Sequence, residues 1–421
     1  MISVRNRLQQ LNGNKRLLFV LFALALNACS PKVRWVSQPQ NIQPQPPPVV
    51  VKPAPPVKPP PAKTSVISLL LPFGLDHIGP GQFYTDISLK KAKIAADYYC
   101  GFKLALDSLT FYGYNYKLLV FDSRDDEAQA HSLAYSPRVR GSDLIIGPIF
   151  PDDLKAFTDV LSSQRKPIVS PLSPEPPATF KNQNLITVNP PLEYHAWCAA
   201  QFINDRIRPQ KVFILKSGYT EDNDYIIPFK KAIDSLSKKH IRVIMITVSR
   251  GVLSPLVVQL SATQQNVFVV PSTDQKFLMV TLRSLDTLAK RYPVTLFGHP
   301  SWAHFDFLNT QILQHLKTHI TSADQVDYKS TQTMTFIHDY RKAYHKDPTA
   351  YALKGFDEGL YFGRLLATDN LKNITQTDYT GLHNNFHFVK KTGMGWVNTH
   401  VNLLLYSNFV LKPVQCRPLT S

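Results

Sequence analysis

The chain has 421 residues, enough for two or three folding units, and its 44% hydrophobic and 18% charged content excludes disorder over most of its length. The net charge of +17 is uneven: residues 1–64 hold nine basic side chains and no acidic one, leaving +8 for the rest, so the basicity is weak evidence for nucleic acid binding. Four cysteines exclude a disulfide-dense scaffold.

Residues 1–16 are polar and basic, and residues 17–25 (LLFVLFALA) form an apolar run of nine. That run is too short to span a bilayer, which takes about 20 residues, but suits the core of a signal peptide. It ends in Leu26-Asn27-Ala28-Cys29. This order resembles the lipobox of bacterial lipoproteins. The resemblance implies that residues 1–28 are removed and that Cys29 is acylated, giving a membrane anchor. Ser30 follows the cysteine, which by the same resemblance favours the outer membrane of a Gram-negative cell, facing the periplasm.

Residues 29–64 read as an anchor and a spacer. Twelve of the 33 prolines fall between Pro31 and Pro61. Proline fixes φ and has no N–H, so neither helix nor sheet runs here. An extended polyproline chain of this length reaches on the order of 100 Å.

From residue 65 the pattern alternates. An apolar run predicts a strand over 66–73, and helical spacing predicts a helix over 88–109 with Ser88 as its N-cap. Strands follow at 116–121, 144–146 and 168–169, with helices at 125–135 and 151–163. A second set begins with a helix at 192–207. It continues with strands at 211–215, 241–248, 268–270 and 294–297, and with helices at 225–239 and 274–290. Buried strands alternating with helices predict α/β architecture, two lobes each built on a doubly wound, mainly parallel sheet.

Ligands of open α/β sheets bind beyond the carboxyl ends of the strands. The candidates are therefore Phe73, Gly74, Pro148, Ile149, Ser170 and Ser173 in the first lobe, and Ser217, Tyr219, Ser272 and Trp302 in the second. Ser170 and Ser173 either contact a ligand or close their own turn. Tyr219 and Trp302 either stack on a ligand or cover the hinge. Asp274 either faces the cleft or caps the next helix. Asp357 reads as a structural carboxylate holding a neighbouring loop. Glycine loops, nucleophile elbows and metal-binding helix motifs are missing from the sequence, so no enzyme activity, cofactor or metal is expected. His383 and His387 alternate with Phe386 and Phe388 as in a strand, against a paired metal role. Cys100 and Cys198 read as packing residues, leaving Cys416 near the end.

Several segments in order resemble the type I periplasmic binding protein family. They are residues 99–107 (YCGFKLALD), 143–149 (DLIIGPI), 167–173 (PIVSPLS), the turn Val269-Val270-Pro271-Ser272, and residues 336–344 followed by Pro348, Tyr351, Ala352 and Gly355-Phe356-Asp357. The last is the stretch 381–402, opening GLHNNFHFVKKTGMGWVN. The family includes branched-chain amino acid binding proteins and the carboxy-terminal domain of lipoproteins that activate peptidoglycan synthases. The resemblance implies one two-lobed domain over 65–415. Lobe 1 is expected at about 65–188 plus 325–370, and lobe 2 at about 189–324 plus 371–415. Amino-acid-binding members offer a serine and helix N–H groups after the IIGP turn. Phe150-Pro151 stands there in this chain, so free amino acids are expected to fail.

The function expected is a non-enzymatic, lipid-anchored envelope protein. Its cleft binds or senses a small polar solute, amino-acid-like or derived from the cell wall. The alternative is a regulator of an envelope machine, such as a peptidoglycan synthase, with a degenerate cleft. The expected partners are the membrane through the anchor, a small ligand or an envelope protein, and no nucleic acid.

Overall fold

The computed structural model describes residues 63–79, 81–391 and 394–414. The signal segment, Cys29, nearly all of the proline-rich spacer and Cys416 lie outside the described residues. The described residues belong to one compact unit, Pro61–Ser421.

The first sheet is built on β1 (Thr64–Leu71), β2 (Asn115–Asp122), β3 (Leu144–Ile146), β4 (Ile168–Ser170) and β5 (Leu185–Thr187). The second is built on β6 (Lys211–Lys216), β7 (Arg242–Thr247), β8 (Asn266–Val270), β9 (Val294–Gly298) and β10 (His319–Ser322). Within each set the strands pair in parallel, in the orders β5-β4-β3-β1-β2 and β10-β9-β8-β6-β7. The central strands read VISLLL and NVFVV because helices cover both faces.

The last quarter of the chain completes both sheets. After the short strands β11 (Tyr379–Thr380) and β12 (Asn385–Phe386), β13 (Phe388–Lys390) and β14 (Trp396–Asn398) extend the first sheet beside β5. Then β15 (Asn402–Ser407) and β16 (Val410–Val414) run antiparallel onto β10 at the edge of the second. The expected grouping of residues 371–398 with lobe 2 is therefore corrected. Phe386 and Phe388 pack into the first core with Tyr361 and Phe362, and β14 pairs with β5.

Two helices form the spine of the first lobe: α1 (Asp86–Phe111) and, much later, Ala350–Ala367. They pack in near backbone contact. A Cβ on Gly355 would sit 2.2 Å from the Tyr98 carbonyl, and one on Gly101 would sit 1.9 Å from the Ala352 carbonyl. Two separated glycine motifs thus answer to one interface. The start of α1 also differs from expectation: Thr85, three residues before Ser88, is the cap, and its Oγ1 accepts the Ser88 N–H at 3.1 Å. Among the described residues no helix is long and apolar enough to cross a membrane.

Candidate functional site

The chain passes between the two sheets after Thr187, after Ser322 and after Asn398. Polar side chains tie these three crossings together. Asn398 Nδ2 donates to the carbonyls of Val188 and Asn385, both at 3.0 Å, and its Oδ1 accepts the His387 and His400 N–H groups. Lys354, from the helix Ala350–Ala367, places its Nζ 3.0 Å from Asp324 and 3.4 Å from the Asn189 amide oxygen. Asp324 also accepts the Asn384 side-chain amide at 2.8 Å and lies 3.2 Å from His383 Nδ1. Burial alone would raise the Asp324 carboxyl, but Lys354 and then His383 outweigh it and hold it well below the usual carboxylate range.

Asp357, one turn after Lys354, accepts the backbone N–H groups of Leu382, His383 and Asn384 at 2.7, 2.7 and 3.0 Å. It holds a loop, as its sequence context suggested. Burial pushes its carboxyl up to about 6, against the pull of those three donors. The neighbouring Glu358 is fully enclosed and accepts the Tyr98 hydroxyl at 2.9 Å; burial raises its carboxyl as well.

Against this polar hinge lies a cavity of about 850 Å³. Its first-lobe wall is Pro174, Glu175, Pro176 and Thr179. Asn189, Pro190 and Asp324 come from the crossings, and Asp224, Ile227, Lys231, His299 and His304 from the second lobe. A second cavity of about 460 Å³ shares Leu192, Asp224 and His299 with it and runs on past Tyr219, Asp222, Ser272 and Asp274. Together they make a trough along the second lobe, large enough for a ligand bigger than one amino acid.

Two histidines line it, His195 in the larger cavity and His299 where the two cavities meet. His195 Nδ1 lies 3.0 Å from Thr321 Oγ1, and His299 accepts the Ser301 N–H at 3.1 Å. Burial pushes both imidazoles down to about 4, and His299 adds to the effect on His195. They are neutral at ordinary pH.

Of the residues expected at the site, Tyr219 and Ser272 line the smaller cavity. Asp274 does two things: it caps the next helix, accepting the Phe277 N–H at 2.7 Å, and it lines the same cavity. Ile149, Ser170 and Trp302 are enclosed, at 1%, 0% and 1% exposure, and line neither cavity. Trp302 fills the second core, where its indole N–H donates to the Ser272 carbonyl at 3.0 Å. Ser173 Oγ accepts the Glu175 N–H at 3.3 Å, closing its own turn. Ser217 gives both its N–H and its hydroxyl to Asp222, at 2.6 and 2.8 Å. Gly74 donates to Asp122 at 3.1 Å, Phe73 packs on the first core, and Pro148 is buried. Sequence reasoning missed Glu175, His195, Asp224, His299 and Asp324. His299 directly follows β9, so the strand-end rule would have found it.

His383 and His387 point to different carboxylates, Asp324 and Asp378. Cys198 is buried in the second core, and Cys100 is half-buried with burial pushing its thiol up. Among the described residues no group of three or more metal-ligating side chains is assembled.

No family model matches the sequence, and no curated protein matches it. Solved structures do match by shape. An ABC transporter substrate-binding protein from Desulfitobacterium hafniense, in complex with Leu, is 14% identical with a TM-score of 0.55, over 84% of this chain and 100% of that one. A branched-chain amino acid ABC transporter protein from Rhodospirillum rubrum is 15% identical with a TM-score of 0.61, over 84% and 100%. The C-domain of LpoA from Haemophilus influenzae, a regulator of PBP1A, is 14% identical with a TM-score of 0.56, over 83% and 100%. At such identities shape alone is shared: this chain has the two-lobed type I periplasmic-binding-protein fold.

Proposed function

We propose that the protein is a non-enzymatic, lipid-anchored component of the cell envelope whose interlobe trough binds a small polar ligand and reports it by hinge closure. The observation that carries this reading is the 850 Å³ cavity, walled by both lobes and by Asp324 of the hinge network. A ligand held there touches the residues that set the angle between lobes. The anchor is Cys29, with residues 1–28 as its signal and residues 29–64 as the spacer. The location is the outer membrane of a Gram-negative cell, facing the periplasm. A screen of small peptides and cell-wall fragments by thermal shift, followed by small-angle scattering, tests the reading. A stabiliser that also compacts the protein supports it. A ligand at a hundredfold excess over Kd adds about 2.7 kcal/mol.

A second reading is a regulator of an envelope machine, such as a peptidoglycan synthase. One observation favours it: Leu75, Ile78, Phe83 and Ile87 are 58–82% exposed within a single stretch after β1. The likeness to the LpoA C-domain is consistent with it. Crosslinking in the envelope, with loss of the adduct on changing Phe83 and Ile87 to Ser, tests that reading.

A further inference from the structure

The charge of the trough runs against the charge of the chain. Residues 65–421 carry +8, yet the trough is lined by seven carboxylates and a single lysine, Lys231. Asp324 and Glu193 are matched by Lys354 and Lys391. Asp222 and Asp274 are held by local hydrogen bonds at helix starts. Glu175, Glu221 and Asp224 form no ion pair among the described residues; Glu221 lines the smaller cavity, while Glu175 and Asp224 face the larger one from opposite lobes.

Helix geometry strengthens the sign. The positive ends of helices at the strand ends would ordinarily welcome an anion. Here each carries its own acid. Glu193 stands in the first turn of the helix Leu192–Phe202, Asp222 and Asp224 flank the start of Asn223–Leu236, and Asp274 caps Gln275–Ala289. Pro228 adds to this inside Asn223–Leu236. Having no N–H, it leaves the Asp224 carbonyl without its helical donor, and both residues line the larger cavity. The trough therefore presents carboxylates and a spare carbonyl, all hydrogen-bond acceptors.

We infer that the trough takes a polycationic ligand, one bearing two or more ammonium groups along an extended chain, with Glu175 and Asp224 receiving them from opposite walls. The inference rests on the cleft reading above. Its chemistry is shared by free polyamines and by lysine-bearing peptides.

Calorimetric titration of the full chain in detergent, with spermidine, trilysine, triglutamate and leucine, tests it. Spermidine or trilysine is expected to bind, and triglutamate and leucine are not. Affinity is expected to fall at least about tenfold between 50 and 500 mM NaCl, because much of the attraction is screened. Glu175→Gln with Asp224→Asn is expected to weaken binding at least about tenfold while circular dichroism still shows a folded protein. Binding of spermidine alone assigns the site to a free polyamine, and binding of trilysine alone assigns it to a basic peptide. Binding of leucine or triglutamate with the cations inert overturns the inference and leaves the cleft reading standing. Cation binding that ignores the double substitution overturns it too, by placing the cation elsewhere. Silence from all four overturns it; with a negative thermal-shift screen, the cleft reading falls as well.

Discussion

Lys354 and Asp324 meet at 3.0 Å, one from the long helix of the first lobe and the other from the second crossing between lobes. The lysine side chain is 9% exposed and the aspartate 30%, so the ammonium is shielded from water while the carboxylate keeps one edge on the cavity, and the lysine's partners reach into two crossings. Removing one member of such a pair leaves the other as an uncompensated charge. Lys354→Met is expected to destabilise the fold by about 3 kcal/mol. Adding Asp324→Asn to it should recover part of that loss. Urea melts of the single and double variants check this; a double variant no more stable than the single one contradicts it.

The second prediction concerns the helical spine. Gly355 leaves no room for a side chain against the Tyr98 carbonyl. Gly355→Val forces the two helices apart and is expected to cost about 3 kcal/mol, at the upper end of overpacking effects. Gly113, with nothing near its Cα substituent position, has a positive φ and serves only as a strain control. A melting temperature for Gly355→Val within a degree of the parent would refute the close-packed spine.

The third concerns pH. His195 and His299 titrate at about 4 in the folded chain, against 6.5 unfolded. The folded state thus prefers the neutral imidazoles. Their contribution to stability is fully present above pH 6.5 and is lost as pH falls from 6.5 towards 4. Linkage sets the loss at up to about 3 kcal/mol for each. Asp357, at about 6, acts in the opposite sense, since a raised carboxylate pKa loses stability as pH rises from about 4 to 6. The difference between the parent and a His195→Gln, His299→Gln variant isolates the histidine part. The variant should lose less stability between pH 6.5 and 4; parallel curves would show that these imidazoles are not held neutral.

The fourth concerns attachment. Cys29→Ser is expected to abolish metabolic labelling by a radiolabelled fatty acid and to release the protein from the membrane fraction. Acyl labelling that persists in the variant would place the anchor elsewhere.

The fold was legible because its central strands are continuous apolar runs bounded by turn residues, and these carry their own signal. β5 (LIT) lies between Asn182-Gln183-Asn184 and Asn189-Pro190-Pro191, so its surroundings read as loop, and β14 (WVN) joins the first sheet by pairing with β5, a long-range contact that no local pattern in residues 371–398 carries. The trough was harder to read. Ser170 stands at a strand end, as the rule requires, but packing closes over its hydroxyl. The side chains that do line the trough come from helix starts and crossings. Glu175, Asp224 and Asp324 are 49 and 100 residues apart in turn, and nothing local joins them.

The closing strands have a consequence for folding. β13 and β14 complete the first sheet and β15 and β16 the second, all from residues 388–414. These residues come after the other strands of both sheets in the chain, so neither lobe can complete its sheet until they are in place, and the two mature together. Until then the outer edges of β5 and β10 stand open to stray pairing. A stop codon near residue 370 would strip a rim from both halves at once, so truncation should yield aggregate rather than one surviving lobe.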